Sequence, residues 1–236
     1  MDFSYIDRNV ADIRKRMANA VSLAGRGEGD VLLLAAVKYA ESEEIDHLVH
    51  VCGVKDIGEN RVQQLLEHYE KIDTSDVNIH FIGTLQTNKV KYIIDKVDMI
   101  QSVDRESLAL EIERQAAKKG IVMPVLAEIN IGNEATKSGT SPENAIDFCR
   151  FLGSLPHIKL RGLMAIPPKC VEGGNNSEYF CKMQKIFIDI SHLNVDNSSM
   201  DILSLGMSDD YLCAAECGSN LVRIGSSIFG KRETKI

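Results

Sequence analysis

The chain of 236 residues lacks several features that define whole classes of protein. It contains no tryptophan, only five prolines and no Cys-x-x-Cys pair among its six cysteines. Its longest purely apolar run, 31–37, is far shorter than the ~20 residues of a membrane-spanning helix, and no basic segment marks a secretory signal at its start. These absences argue against a disulfide-stapled or membrane protein and predict a cytoplasmic protein whose cysteines are buried free thiols.

Charge and motifs exclude further functions. The 27 basic and 34 acidic residues give a net charge of -7, which disfavours general binding to nucleic acids. The sequence has no Walker A motif, no GxGxxG and no GxSxG, so nothing supports an NTPase, a dinucleotide-binding protein or an α/β-hydrolase. We therefore expect neither a nucleic-acid nor a membrane partner.

Short apolar runs alternate with helical patterns from one end of the chain to the other. An amphipathic helix that stops at Gly25 precedes eight such runs, each followed by a helix or a helical turn. This order predicts a single (β/α)8 TIM barrel over residues 1–236 with an extra N-terminal helix, and the alternative is a doubly wound open sheet. The eight predicted strands are 31–37, 54–57, 78–82, 98–101, 123–129, 159–165, 200–203 and 221–224.

Lys38 follows seven apolar residues at the end of the first predicted strand. Active sites of TIM barrels lie at the carboxyl ends of the strands, so a partly desolvated Lys38 amine would be suited to forming a Schiff base. The alternative is a lysine that ends a strand and extends into solvent. Position alone does not decide between the two.

A second group of residues predicts an anion site and a buried cation. Ser208 is the expected N-cap of the helix after the seventh strand, and Gly225 and Ser226 follow the eighth, where many TIM barrels bind phosphate. Arg223, two residues before Gly225, is expected to point into the barrel mouth and to need a partner there. A reactive lysine, a phosphate cup and an inward arginine together describe a site for pyridoxal 5′-phosphate (PLP).

Six segments of the chain then resemble one known family, the pyridoxal phosphate homeostasis proteins, which are relatives of the alanine racemase N-terminal barrel domain. The resemblance runs in order along nearly the whole chain, although Val37 and Tyr39 flank the lysine where the family often has a hydroxyl residue before it and a second lysine shortly after. The segments are GEN at 58–60, HFIGTLQTNK at 80–89, KSG at 137–139, RGLMAIP at 161–167, LGMSDD at 205–210 and VRIGSSIFG at 222–230.

The resemblance implies a role for each candidate residue. Lys38 would form the internal aldimine with PLP, and Arg223 would face the pyridine nitrogen. Such an arginine does not favour a protonated ring, so the cofactor would be a weak electron sink. Ser208, Gly225 and Ser226 would hold the phosphate, while Asn60 and Met207 would line the ring.

The remaining polar candidates are a loop lysine, a pair of histidines and a pair of cysteines. Lys137, inside a family motif, is either a second amine near the cofactor or a solvated loop lysine. His47 and His50 are read as ordinary helix residues, because no third metal ligand is evident in the sequence. Cys213 and Cys217 have a spacing that two zinc ligands could use, but free thiols are the preferred interpretation, and no metal is expected.

The function that the resemblance implies is the storage, buffering or delivery of PLP, with PLP-dependent apoenzymes as potential partners. The alternative is an amino-acid racemase of the alanine type. Racemisation by two bases needs a group on each face of the substrate carbon, and racemases take one from a second domain that is not expected here. Tyr39 is the conceivable substitute. We therefore expect a monomeric PLP carrier whose catalytic activity, if any, is weak.

Overall fold

The computed structural model describes residues 2–27, 29–169 and 174–230 of the chain. In these ranges eight parallel strands close into a barrel in chain order, and the first strand pairs with both the second and the last. The closed sheet confirms the predicted (β/α)8 architecture and rules out the open doubly wound sheet. The strands are β1 Leu32–Ala36, β2 Asp56–Glu59, β3 Asn78–Phe81, β4 Met99–Val103, β5 Met123–Ile129, β6 Ile158–Ala165, β7 Ser198–Ser204 and β8 Leu221–Ile224.

The bounds of β5 and β8 are those predicted, whereas the other strands differ by one or more residues. The largest displacement is at β2, which was predicted over 54–57 and begins at Asp56. Val54 is buried in the main core before the strand begins. Apolar residues indicate burial, but they do not show which residues form hydrogen bonds with a neighbouring strand. For this reason the sequence pattern predicts β2 two residues too early.

Helices follow the strands around the outside of the barrel. The N-terminal helix Ser4–Leu23 is followed by Gly25 at φ +69°, as predicted, and the helix over Glu106–Lys119 stops before Gly120 at φ +65°, a conformation that glycine adopts without strain. The helices are α1 Ser4–Leu23, α2 Ser42–His50, α3 Val62–Tyr69, α4 Val90–Ile93, α5 Glu106–Lys119, α6 Ala145–Gly153, α7 Ser177–Ser191, α8 Tyr211–Glu216 and α9 Ser226–Phe229.

The N-terminal helix α1 joins the two ends of the barrel. Its apolar face packs against α8 and the short α9, and Asn9 Nδ2 donates a 2.8 Å hydrogen bond to the Ile228 carbonyl oxygen. On its other side, Arg14 donates to the carbonyl oxygens of Cys52 and Gly53, just after α2. The extra helix therefore lies between the last and the first βα units.

Side chains alternate along the strands between two cores. Leu33 and Ala35 of β1 belong to the large core between barrel and helices, whereas Leu34 packs inside the barrel with Ile82 and Leu221. A second interior cluster joins Met99, Leu126 and Met164. Lys38 continues the inward series of Leu34 and Ala36, so its position leads to the mouth of the barrel.

Two predictions concern membranes and thiols. Across the described residues, no helix is long and apolar enough to cross a membrane.

The cysteines among the described residues are free, but only Cys149 is buried, and Cys181 is exposed, so the expectation of buried thiols is wrong for the rest. The fold brings Cys181 Sγ to 3.3 Å from Cys217 Sγ, a pair that helix spacing alone did not indicate. Cys170 lies outside the described residues.

Candidate functional site

A cleft of about 430 Å³ opens at the carboxyl ends of the strands, where the chemistry was predicted. Seven of the eight candidate residues line it, and they come from loops after β1, β2, β7 and β8 and from β8 itself. The candidates are Lys38, Asn60, Met207, Ser208, Arg223, Gly225 and Ser226, and the further lining residues are Ala36, Tyr39, Ile82, Ile166, Asp209, Phe229 and Gly230.

Arg223 forms the buried floor of the cleft. It is only 4% exposed, and it donates to the backbone oxygens of Ser204 and Ala165 at 2.8 and 3.0 Å and to Ser204 Oγ at 2.5 Å. Burial lowers the pKa of Arg223 to about 10, against the opposing effect of the carboxyls of Glu128 and Asp210, so the side chain remains charged at neutral pH. An arginine has five N–H donors, and these three bonds leave it able to bind a ligand atom.

A chain of hydrogen bonds runs from Arg223 across the barrel interior. Ser204 Oγ donates to Gln101 Oε1 at 2.7 Å, and Gln101 Nε2 donates to His80 Nδ1 at 2.9 Å. His80 Nε2 in turn lies 3.2 Å from a carboxylate oxygen of Asp56. Because each member donates to the next in one direction, the chain is mutually reinforcing and fixes the orientation of the arginine.

Glu128 of β5 adds a buried carboxyl beneath the cleft. Its side chain is mostly removed from water, and burial, aided by the nearby charge of Asp104, raises its pKa to about 7 although Arg223 and Arg105 oppose the shift. This residue could not be identified from the sequence, because a single Glu within an apolar strand does not reveal which charges face it across the barrel.

The loops after β7 and β8 meet through Ser208. Its Oγ accepts hydrogen bonds from the backbone N–H groups of Gly225 and Ser227, both at 3.3 Å. The prediction that Ser208 caps a helix is wrong: α8 begins three residues later, and Asp210 ends the intervening turn by accepting a 2.7 Å bond from the Met207 N–H. Ser208 instead joins two loops that face the cleft.

Lys38 lies in the turn after β1 and is exposed, so the prediction of a partly desolvated amine is wrong for this structure. The amine lies 5.4 Å from the centre of the Tyr39 ring, a cation–π contact at the cleft wall. The apolar run ends at Val37, which is buried in the core between barrel and helices, and Lys38 lies in the turn beyond it. Its position in the cleft agrees with the prediction.

Asn60 and Met207 occupy the sides of the cleft. Asn60 Oδ1 is buried and has no hydrogen-bond partner among the described residues, which is costly unless a ligand supplies one. Met207 is 38% exposed. Asn60 itself lines the cleft, but its Oδ1 is shielded from solvent, so a ligand would bond to it only after the side chain moves.

Lys137 is the one candidate that does not line the cleft. Its amine forms a 2.5 Å ion pair with Glu134 and donates to the Pro167 carbonyl oxygen at 3.1 Å. It is therefore held in the loop after β5, beside the end of β6. Conversely, three apolar residues that line the cleft were not predicted from the sequence: Ile82, Ile166 and Phe229. The first two lie at or just past strand ends, where the sequence does not show whether an apolar side chain lines a ligand site or packs in the core.

Comparison with known proteins agrees with this architecture. The family model described as "Alanine racemase, N-terminal domain" matches residues 4–233. A crystal structure of an unknown protein from Bifidobacterium adolescentis superimposes with a TM-score of 0.88 at 33% identity, over 97% of each chain. The fold and the cleft thus define a barrel of the alanine racemase N-terminal class.

Several relatives carry names that specify a family within that class. A pyridoxal phosphate homeostasis protein of Aquifex aeolicus is 42% identical over 94% of this chain and 96% of its own. A structure of PipY from Synechococcus elongatus with PLP bound is 26% identical, with a TM-score of 0.77 over 91% of this chain and all of that one. The chain belongs to the pyridoxal phosphate homeostasis protein family.

Proposed function

We propose that this protein binds PLP in the cleft and acts as an intracellular carrier that stores, buffers and delivers the cofactor. The observation that carries the proposal is the convergence of Lys38, Arg223 and the Ser208 loop on one cleft. When bound, PLP would supply an aldehyde able to form a Schiff base with the Lys38 amine. We propose further that residues 1–236 form one cytoplasmic, monomeric domain.

The residues present fit such a group. The N–H groups of Gly225 and Ser227 make long bonds of 3.3 Å to Ser208 Oγ, which they can give up for a phosphate oxygen. Arg223 would face the ring nitrogen while remaining charged, and a movement of the Asn60 side chain would give its orphaned Oδ1 a partner. A cleft of about 430 Å³ is also within the range of small-molecule sites.

The experiment that tests binding is the visible absorption spectrum before and after borohydride reduction, with peptide mapping of the adduct. We expect a yellow Schiff-base band and a reduced adduct on Lys38, both absent from Lys38→Ala. Lys137→Ala is the matched control, since Lys137 is held by Glu134 and Pro167 outside the cleft. No band after PLP is added, or an adduct unaffected by Lys38→Ala, would refute the proposal.

Delivery is tested with a recipient. PLP-loaded protein is mixed with a PLP-dependent apoenzyme, and recovery of its activity is compared with that given by the same amount of free PLP in the presence of a scavenger of free PLP. A carrier that hands over its cofactor directly restores activity despite the scavenger. If restoration disappears with the scavenger, the protein only buffers free PLP.

A racemase remains the second candidate, because Tyr39 lines the cleft beside Lys38 and provides another ionisable group there. Arg223 weighs against it, since an arginine does not keep the pyridine nitrogen protonated. Exchange of the alanine α-hydrogen with deuterated solvent separates the two. Stereochemical inversion that is lost in Tyr39→Phe would favour the racemase, and no exchange would favour the carrier.

A further inference from the structure

Three side chains, from two helices and from the turn that follows the second, meet at a surface away from the cleft. Asp7 comes from α1, His47 from the last turn of α2, and Cys52 from the segment that follows α2. Asp7 Oδ1 lies 2.7 Å from His47 Nε2 and 3.2 Å from Cys52 Sγ. The three atoms all lie within 4.8 Å of one another.

The three atoms form a donor set that suits one class of metal ion. An imidazole nitrogen, a thiolate sulfur and a carboxylate oxygen are the ligands of zinc-type cations, which take four ligands in tetrahedral geometry. Metal–ligand distances of about 2.0–2.3 Å place tetrahedral ligand atoms about 3.3–3.8 Å apart. The present separations from Asp7 Oδ1, 2.7 and 3.2 Å, reach that range with side-chain shifts of under about 1 Å.

The surrounding structure fixes the three residues independently of any ion. Arg14 of α1 donates to the carbonyl oxygens of Cys52 and Gly53 at 2.8 and 3.2 Å, which ties the cysteine segment to the helix that carries Asp7. Phe3 packs against the His47 ring, with centroids 5.1 Å apart. Because such contacts already restrict the ligand residues, binding of a metal ion costs little further conformational entropy.

Water can reach the cluster to complete the coordination. The Asp7 side chain is 47% exposed, whereas His47 is 18% exposed. Binding of a divalent cation would release the thiol proton of Cys52 to solvent and form a metal–sulfur bond, and His47 would bind through Nε2 with its proton on Nδ1. Thiolate and carboxylate together then neutralise the two positive charges of the ion.

We propose that Asp7, His47 and Cys52 form a site for a zinc-type divalent cation, with water as the fourth ligand, that clamps α1 to α2. The sequence alone indicated that His47 is an ordinary helix residue, because it did not reveal a third metal ligand. The fold supplies Asp7 from 40 residues away and Cys52 from the adjoining loop. The site is independent of the PLP cleft.

Cobalt(II) serves as the probe, because a thiolate bound to tetrahedral cobalt gives a charge-transfer band together with strong visible bands. Untagged full-length protein is titrated, and difference spectra are recorded also in a Lys38→Ala background to remove absorption by PLP. We expect one equivalent of cobalt, displaced by zinc. Cys52→Ser removes the charge-transfer band, and His47→Gln and Asp7→Asn each weaken cobalt binding by more than the roughly 10–100-fold that loss of an outer-shell partner costs.

Matched variants separate this site from other thiols and histidines. His50→Gln changes the neighbouring exposed histidine, and the double variant Cys181→Ser/Cys217→Ser removes the thiol pair that lies 3.3 Å apart. Both controls retain the cobalt spectrum if the proposal is correct. A spectrum that survives Cys52→Ser, one that vanishes in the double variant, or no thiolate band at one equivalent of cobalt would overturn it.

Thermal unfolding provides a second readout that does not depend on colour. Zinc raises the Tm of the native protein by binding only its folded state, and the increase is lost in Cys52→Ser. Because Ser keeps the size of the side chain and Cys52 is only partly buried, this variant is expected to fold. An equal rise in Tm for native protein and Cys52→Ser contradicts the proposal.

Discussion

Arg223 on β8 is bound to Ser204 on β7 through both the backbone oxygen and the hydroxyl of the serine, at 2.8 and 2.5 Å. The ladder between these strands pairs Ser204 with Leu221. The arginine therefore reinforces the junction of β7 and β8 as well as facing the cleft. Its role in the fold can be measured in PLP-free protein, separately from any role towards a ligand.

Replacement of Arg223 by leucine should lower the free energy of unfolding by roughly 3 kcal/mol, because the oxygens of Ser204 and Ala165 lose their buried donor. Urea denaturation of PLP-free protein measures the change. Arg161→Leu is the control: this arginine on β6 pairs with Asp201 at the surface, and its loss should cost less than about 1 kcal/mol. Equal losses for the two variants would contradict the argument.

Glu128 should make the protein less stable as pH rises. Its pKa of about 7 in the folded chain exceeds the usual 4.5, so the folded state holds the proton more tightly between these values and loses stability as pH rises through 7. Glu128→Gln removes the dependence. Relative to native protein, the variant should gain roughly 2–3 kcal/mol between pH 5 and pH 8. Parallel stability curves would show that the carboxyl is not buried as described.

Ser226 should matter more for PLP binding than its neighbour. Ser226 lines the cleft, whereas Ser227 Oγ is directed to the Ser208 carbonyl oxygen at 3.5 Å. Loss of one hydrogen bond to a charged phosphate weakens binding about tenfold or more. Titration with PLP should show that loss for Ser226→Ala and a much smaller one for Ser227→Ala. The reverse order would place the phosphate elsewhere.

Gly83 should tolerate no side chain. A Cβ at this position would lie 2.2 Å from the Asn60 backbone oxygen, whereas one at Gly120 meets nothing within 4 Å and bears only the strain of its φ of +65°. Gly120→Ala should cost about 1–2 kcal/mol, and Gly83→Ala should cost more. Because Asn60 lines the cleft, Gly83→Ala should also weaken PLP binding, as titration of the two variants would reveal.

The barrel could be predicted because its signals are local and repeated. Buried strands read as apolar runs, and glycines mark the helix ends at 25 and 120. Strand alternation placed Arg223 in the interior because adjacent residues on a strand point to opposite faces. These inferences need only a short window of sequence.

The burial of the site residues and the contacts between them depend on which elements of the fold pack together. Burial of Glu128 and the chain from Arg223 to Asp56 arise from side chains on different strands that meet inside the barrel. The exposed position of Lys38 depends on the turn that carries its side chain beyond the apolar run. The role of Ser208 was also missed, because its hydroxyl accepts hydrogen bonds from Gly225 and Ser227 in a loop that is distant in the sequence.

The position of α1 has a consequence for how the chain reaches this state. The bond from Asn9 to Ile228 spans 219 residues, and β1 pairs with β8 at the same seam. Until β8 is available, β1 has an open edge and α1 lacks part of its apolar partner surface. Contacts so distant in sequence form slowly, so we expect the closure of the barrel at this seam to be a late step of folding.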